Sequence, residues 1–467
     1  MDVRGESGRR AVPLVCMAAV VAGVALACPV VRAARSELSD EPIPMATEKD
    51  LPARTAPLIE LGPAFLGTGN LPQGIELPTG AVWNPSFWVY GSYRTALDHF
   101  DDGVNDPIDE WTNRLDLFGN LYLSGTERVL IGVSPLSDDG KFTGYTWNPD
   151  DAEKWNNEFN SKVTRLFFEG EIAEIFPNLD PDDTGIYDIG FAVGRQPLFF
   201  QEGLMINDSQ VDGLGVTRDT MIIPGLSVDT RLTAFWGWND VNRGNNMVDN
   251  NAELLGLFME GDWGASTVDI DAAYVDSAND QFNFGVGSTQ RVNLFGRRIN
   301  TSVHIDTSAA IDRETPTTRD GTVLFGEFST TTLGSGDVVY LDAFYARDEF
   351  RSAMRDETAG GPLGQVGILF ASAGLGRYGS ALSSQADNVA GAAIGRQFFW
   401  DGERRQLILE IGGRSGTEKT TPDQVALGAR FEQALGRRFI FRVDGFASRQ
   451  QGADDGAGVR TELMTRF

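Results

Sequence analysis

Histidine is the side chain best suited to proton transfer near neutral pH, and this chain has two, His99 and His304. His304 lies in Thr301-Ser302-Val303-His304-Ile305-Asp306, which places a serine, a base and a carboxylate at alternate positions. On a strand the three project to one face about 7 Å apart, outside hydrogen-bond reach for a self-contained triad. His99 opens an acidic stretch, Asp98-His99-Phe100-Asp101-Asp102. The pair Asp101-Asp102 and the run Asp180-Pro181-Asp182-Asp183 offer oxygen ligands to Ca²⁺ but lack the spacing of a dedicated loop, so they read as solvated loops. Both cysteines, Cys16 and Cys28, fall in an N-terminal export segment, and its cleavage leaves no thiol. No catalytic residue, metal ligand or cofactor is expected, and the chain reads as a non-enzyme.

A second set of charges recurs with a different logic. Arg94, Arg165, Arg231, Arg430 and Arg442, with Asp229, Asp269, Asp271 and Asp444, sit singly inside otherwise apolar or neutral stretches. Facing ladders of this kind set up a transverse field, the device that gives channels their ion selectivity. The alternative for any one residue is plain: inward residues must be polar, and opposite charges neutralise each other across the interior.

The elements that must position these charges alternate with period two. Phe87, Val89, Gly91, Tyr93, Thr95 and Leu97 share one face, with Ser92 and Arg94 on the other. Val268, Ile270, Ala272 and Tyr274 alternate with Asp269 and Asp271, and Leu226 to Leu232 alternates through Asp229 and Arg231. Val425, Leu427, Ala429 and Phe431 alternate with Arg430 and Glu432, and Phe439, Phe441 and Val443 with Arg442 and Asp444. Segments of about 9–12 residues match tilted membrane strands, whereas no later apolar run approaches the roughly 20 residues of a spanning helix. The fold expected is all-β: a transmembrane antiparallel up-and-down barrel of about 18 strands, with 16 as the alternative, over residues 81–467. Short connections at 124–127, 262–265, 401–404 and 435–438 alternate with long polar ones at 98–112, 135–161, 238–251 and 414–423. Over 290–364 the alternation of short and long connections slips, and the count there requires 334–337 on the outer side and 348–364 on the inner.

The last segment, Val459 to Phe467, sets Val459, Thr461, Leu463, Thr465 and Phe467 against Arg460, Glu462 and Arg466. A terminal Phe closing such a strand resembles the C-terminal assembly signal of bacterial outer-membrane barrels. At the other end Arg4, Arg9 and Arg10 precede an apolar run, Ala11 to Ala27, with small-residue sites ending at Ala27 and Ala33, so residues 1–33 read as a signal peptide. Residues 34–80, rich in Pro and Gly, read as a periplasmic or lumenal segment without buried strand or helix. The aromatics Trp83, Phe87, Trp88, Tyr90, Trp236 and Trp238 fall near strand ends and suit an interfacial girdle. A formal charge of −27, from 66 Asp+Glu against 39 Lys+Arg, argues against nucleic acid, which needs a basic surface.

One local motif stands apart. Val193-Gly194-Arg195-Gln196-Pro197 is followed by Gln201-Glu202-Gly203 and then Val211-Asp212-Gly213-Leu214. The Gly-Arg-Gln followed by a Gly-bearing loop and an Asp-Gly strand resembles the alginate-export family of outer-membrane barrels and related porins. The match covers residues 193–218, departs from the family at Pro197, and has Gln210-Val211 where an Arg and an aromatic are expected. The resemblance implies an 18-stranded barrel and an anionic polysaccharide. Arg195 reads either as a lumenal cation or as a rim arginine paired with a loop acid such as Glu202. Gln196 joins the pore-lining set. A second Gly395-Arg396-Gln397 is attributed to chance. The expectation is an outer-membrane, porin-like channel for passive or weakly selective diffusion of small or anionic solutes. A polysaccharide-export conduit and an outer-membrane receptor or hydrolase are the alternatives. Expected partners are outer-membrane lipid and lipopolysaccharide, the barrel-assembly machinery and the solutes themselves, with a homotrimer as the candidate assembly.

Overall fold

Cross-strand partners in an antiparallel ladder share a face, so one continuous register assigns every side chain of a closed sheet to its inside or its outside. The structure, a computed structural model, describes residues 55–63, 73–149, 152–182, 184–294, 296–418 and 421–467. The signal-peptide reading of 1–33 lies outside them. Eighteen strands form the wall: β1 Ser86–Asp101, β2 Ile108–Tyr122, β3 Arg128–Val133, β4 Val163–Glu171, β5 Ile189–Phe200, β6 Ile206–Arg218, β7 Thr230–Asn239, β8 Glu253–Trp263, β9 Ser266–Asp276, β10 Gln281–Leu294, β11 Arg297–Ala310, β12 Gly321–Thr331, β13 Val338–Glu349, β14 Asp387–Trp400, β15 Arg405–Gly416, β16 Gln424–Leu435, β17 Phe439–Gln450 and β18 Asp455–Arg466. Each pairs antiparallel with its neighbours, and β18 returns to β1 from Ala457↔Asp101 to Arg466↔Ser92. The closed antiparallel barrel is therefore as expected, with the larger strand count. Closure leaves no unpaired edge along the wall.

The outward positions are apolar and open: Leu257, Ile394, Leu409, Leu427 and Val459 are all exposed. A continuous band of this kind is stable only against another apolar phase. Phe467 extends β18 by one residue, its N–H donating to the Gly91 carbonyl and its own carbonyl accepting from the Gly91 N–H. Below that point the edge of β1 is taken by Ile59–Leu61, where Ile59 faces Val89 and Leu61 faces Phe87. A three-residue strand thus fits between Pro57 and Pro63 in a segment read as irregular.

The connections correct three expectations. Strands β1 and β2 run on to Asp101 and from Ile108, so the loop placed at 98–112 is only 102–107. Residues 226–229 are a turn, and β7 begins at Thr230. The segment 334–337 lies at the same end as the short turns. The sequence count lost parity because β10 and β11 are joined by residues 295–296 alone, a turn too short to show as a break in composition. With that hairpin restored, the long segment after β13 falls among the long loops.

That segment, 350–386, does not stay outside. Met354–Arg355 pairs parallel with Ile206–Asn207 of β6. A 3-10 turn at Pro362–Gln365 and one helical turn at Gly367–Phe370 follow. Leu363, Val366, Leu369, Phe370 and Leu382 pack on the inward side chains Val323, Phe325, Phe344, Val389, Ala393 and Ala426. A second cluster joins Met205, Val211, Phe235, Leu254, Phe258 and Met354. The expectation of a wet lumen all round fails on this side. Around Val323, Phe325 and Phe344 the interior of β12 to β14 is a dry core covered by one loop.

Candidate functional site: the lumenal charges

From β16 round to β4 the inward face is charged, and the register builds two rungs. In the first, Arg430 faces Asp444, Asp444 faces Arg460, Arg460 faces Asp98 and Asp98 faces Glu110. Arg430 Nε is 2.5 Å from Asp444 Oδ1. Arg377 of the inward loop reaches Glu110 at 3.0 Å. In the second, Glu432 faces Arg442 and Arg442 faces Glu462. Glu462 gathers three guanidinium groups: Arg94 at 2.5 Å, Arg460 at 2.5 Å and Arg442 at 3.6 Å. Arg460 and Glu462 are almost fully buried. Burying such ions is tolerable only because each is matched.

Next to the second rung lies a cavity of about 520 Å³ bordered by Ser92, Arg114, Asp116, Phe118, Arg165, Arg195, Asp240, Asp356 and Glu357. Arg114 holds Asp116 at 2.9 Å and donates to the Gly374 carbonyl. Arg165 has no carboxylate partner among the described residues. Its guanidinium carbon stands 5.7 Å from the Phe118 ring centroid, a cation–π distance. Glu357 is pushed up to about 7, first by burial and then by Asp139, Asp356 and Asp138 beside it. The neighbouring Arg355, buried completely, is pushed down to about 10 by desolvation; it donates to the carbonyls of Gly203, Gly360 and Gly361.

The Gly194-Arg195-Gln196 motif forms a bulge. Gly194 has φ +119°, and a Cβ there would stand 2.2 Å from the Leu166 carbonyl oxygen. Pro197 lacks an N–H, and the register slips between Gln196 and Leu198. Arg195 is held at the rim by Asp212 at 2.9 Å, by Asp240 and by the Val163 carbonyl at 3.0 Å. Its partners are these two acids and not Glu202. Gln196 is buried and gives its amide to the Gly213 carbonyl at 3.2 Å. Asp229 lies in the 219–229 turn, and Arg231 at the foot of β7 meets Asp219 at 2.6 Å, both more than half exposed.

The opposite wall, β8 to β15, carries Glu260, Asp269, Asp271, Asp306, Glu327, Asp342 and Glu410, and the loop after β5 adds Glu202. Glu260 faces Asp269 and Glu327 faces Asp342 across their ladders. Among the described residues none of these acids is ion-paired. Gln201, at φ +53°, reaches down from its loop, donating to Asp271 at 2.9 Å and bonding His304 Nδ1 at 2.8 Å. His304 Nε2 lies 2.9 Å from Ser302 Oγ. The sequence estimate, based on backbone spacing, put that pair out of reach; the length of the imidazole closes the gap. Asp306 makes no bond to the ring, so the three do not form a triad. His99 instead bonds Asp109 at 2.7 Å.

Glu410 accepts from the N–H groups of Ile368 and Leu369, each at 2.9 Å, and from the Tyr340 hydroxyl. Arg414 donates to the Ser383 and Gln385 carbonyls. These wall residues pin the inward loop, and neither was singled out in the sequence. Their parity within β15 was readable, but the loop they hold was not. Trp88 and Tyr90 also depart from the girdle reading. They face inward, with Trp88 against Tyr122 at 4.7 Å and Tyr90 against Phe118 at 5.5 Å. Trp236 and Trp238 do face out. The acidic runs close their own turns: Asp102 accepts from Val104 and Asn105. Asp180 accepts from Thr184 and Gly185, bonds that hold its carboxyl below the usual range. Asp183 lies outside the described residues.

No family model and no curated protein matches the sequence. Solved structures match the fold. OpdK of Pseudomonas aeruginosa with vanillate aligns at TM-score 0.54 and 12% identity, covering 81% of this chain and 98% of that one. OccK2 (OpdF) of the same organism, in complex with glucuronate, aligns at 0.54 and 11%, covering 81% and 98%. A BenF-like porin of Pseudomonas fluorescens aligns at 0.58 and 9%, covering 82% and 98%. At such identities the likeness is one of fold, a porin-type barrel. It gives the alginate-export resemblance no support.

Proposed function

We propose that this protein is an outer-membrane diffusion channel for small solutes, carboxylates among them. The apolar outer band supports a membrane setting, and residues 81–467 form its barrel domain. The observation that carries the reading is the cavity at Arg114 and Arg165, inside a closed wall and walled on its far side by a pinned loop. Arg165, set against the Phe118 ring and without an ion pair among the described residues, offers a planar fork to a carboxylate. The vanillate and glucuronate of the two similar barrels are carboxylates of fitting size. Residues 1–33 are the export signal and 34–80 a periplasmic segment in this reading, and Phe467 is the assembly signal. The partners are lipid, lipopolysaccharide and the assembly machinery. The polysaccharide-export reading has less behind it, because Arg195 is spent on Asp212 and Asp240 and loop 350–386 narrows the lumen. Transport here needs no catalysis; selectivity follows from charge and width. The test is planar-bilayer recording of the purified protein. Single-channel steps are expected, with Arg165→Ala slowing benzoate entry into proteoliposomes more than glucose entry. Absence of steps removes the channel, and equal effects on the two solutes remove the role of Arg165.

A further inference from the structure

A wet lumen calls for polar inward side chains, yet at the end of the short turns three inward positions carry aromatic rings. Trp88, Tyr90 and Tyr122 are only half-buried. They open on a second cavity of about 520 Å³, lined with them by Asn120, Arg437 and Arg466. Register explains the grouping: Trp88 faces Asn120 across the β1–β2 ladder, and Tyr122 faces Arg128 across β2–β3. One side of the cavity is the segment before β1. Ile59–Leu61, seated on the β1 edge, brings Thr55 and Pro57 to the border, and Arg438 donates to the Ala56 carbonyl at 3.3 Å.

The polar groups here are not all engaged. Arg128 is paired with Glu169 and stands 5.9 Å from the Tyr122 ring centroid. Arg437 and Arg466 have no ion pair among the described residues. Phe467 also borders the cavity, its carbonyl oxygen accepting from the Gly91 N–H. Asn120 is 2% exposed, and its Oδ1 has no hydrogen-bond partner among the described residues. A buried acceptor left without a donor costs free energy that a ligand hydroxyl would recover. Ring faces accept a flat ring, and guanidinium groups accept a carboxylate through paired N–H donors. A neutral sugar would leave both arginines unmatched, and an aliphatic acid would leave the rings wet.

We propose that this cavity is a second solute station, selective for planar aromatic carboxylates and in series with the cavity at Arg165. It rests on the channel reading and adds a criterion of shape to one of charge. Ser92 and Phe118 border the first cavity, and Trp88, Tyr90 and Asn120 the second. The Tyr90–Phe118 ring pair, with centroids 5.5 Å apart, is the step between them. Two modest sites in line let a solute bind and still leave, as conduction requires.

The experiment is single-channel recording of the full protein with benzoate and with cyclohexanecarboxylate, which has the same charge and similar size but a puckered ring. Benzoate is expected to block in two dwell-time classes and cyclohexanecarboxylate in one, a readout that needs no mutant. Trp88→Leu should shorten one benzoate class by about 3–10-fold, and Arg165→Ala should shorten the other. Heat-resistant migration on gels checks that each variant barrel is folded. A single class for both acids, or benzoate dwell times untouched by Trp88→Leu, overturns the second station and leaves the channel standing. Dwell times that respond to Trp88→Leu but not to Arg165→Ala uphold this station and remove the role of Arg165. Absence of steps overturns both readings.

Discussion

The lumenal wall from β16 to β4 and the wall from β12 to β14 are built from the same alternating strands, yet one is wet and charged and the other is dry where loop 350–386 covers it. In the first, inward charges outnumber what water alone would require, and they are satisfied by each other through the strand register. In the second, Val323, Phe325 and Phe344 occupy the inward positions, and a single loop covers them. Closing the sheet fixes which side chains look in. It does not fix what they meet. A barrel interior can therefore be set locally to channel or to core by the residues of one face alone.

The largest effect should come from breaking the dry side. Phe370 is fully buried and meets Phe344 edge-on, with centroids 5.4 Å apart. Phe370→Ala forfeits about 3–5 kcal/mol of packing. The loss falls on loop 350–386 and leaves the eighteen-strand ladder intact. Conductance is expected to rise and become noisier, while the heat-resistant migration of the folded barrel on gels is retained. Unchanged conductance would mean that the loop does not limit the passage.

On the charged side the comparable cut is Glu462. Its removal leaves Arg94, Arg442 and Arg460 crowded and short of an acid, and breaking a buried network in this way costs about 3–5 kcal/mol. Here the cost falls on the wall itself, at the β17–β18–β1 seam. Glu462→Ala should lower the urea midpoint of the reconstituted barrel. An additional Arg442→Ala should recover part of the loss, because it removes one of the stranded charges. Additive destabilisation in the double variant would show that the three arginines are not sharing Glu462. It ranks second because Arg442 and Arg460 keep Glu432 and Asp444.

The charged side was the legible one. Arg94, Arg430, Arg442 and Asp444 lie at period-two positions between apolar neighbours, and parity alone put them inside. The dry side was hidden for two physical reasons. Where the inward face is also apolar, as in Val323-Leu324-Phe325, alternation disappears and the strand reads as featureless. The covering loop, meanwhile, is irregular chain whose inward course depends on distant anchors such as Glu410 and Arg355. The slip near 290–364 has a separate cause, the turn at 295–296 between β10 and β11, too short to read as a break. Gly194-Arg195-Gln196 was conspicuous for another reason: it marks a bulge, and glycine before a slipped register is a backbone requirement. Arg165, for which no ion pair is found among the described residues, could not be told from its paired neighbours, since pairing across strands is settled only by register.

A smaller effect joins the two sides. Glu357 sits where the loop borders the arginine cavity, and its carboxyl is raised to about 7 from an ordinary value of 4.5. A raised acid favours the folded loop in its neutral form. The contribution is complete below the unfolded value and is lost as pH climbs through about 7, the window in which the cavity mouth also gains a negative charge. Between pH 6 and pH 8, benzoate entry should therefore fall. Glu357→Gln should flatten that step without changing the entry of neutral sugars. A pH step that survives the substitution would place the titrating group elsewhere.

Arg231 supplies the smallest expected effect and the sharpest control on the comparison. It belongs to the sequence pattern of lumenal arginines, as Arg442 does, but it stands at the foot of β7 with its Asp219 partner, each more than half exposed. Water there screens the pair, and an exposed ion pair contributes about 0–1 kcal/mol. Arg231→Ala should leave the urea midpoint within error of the unaltered protein, although Arg442→Ala, at a residue of the same type and the same parity, should lower it measurably. The difference between them is burial: Arg442 lies between two acids on adjoining strands, where solvent cannot replace either. Equal midpoints for the two variants would mean that the rungs are ordinary solvated pairs, and that the wet wall owes its stability to the backbone ladder alone.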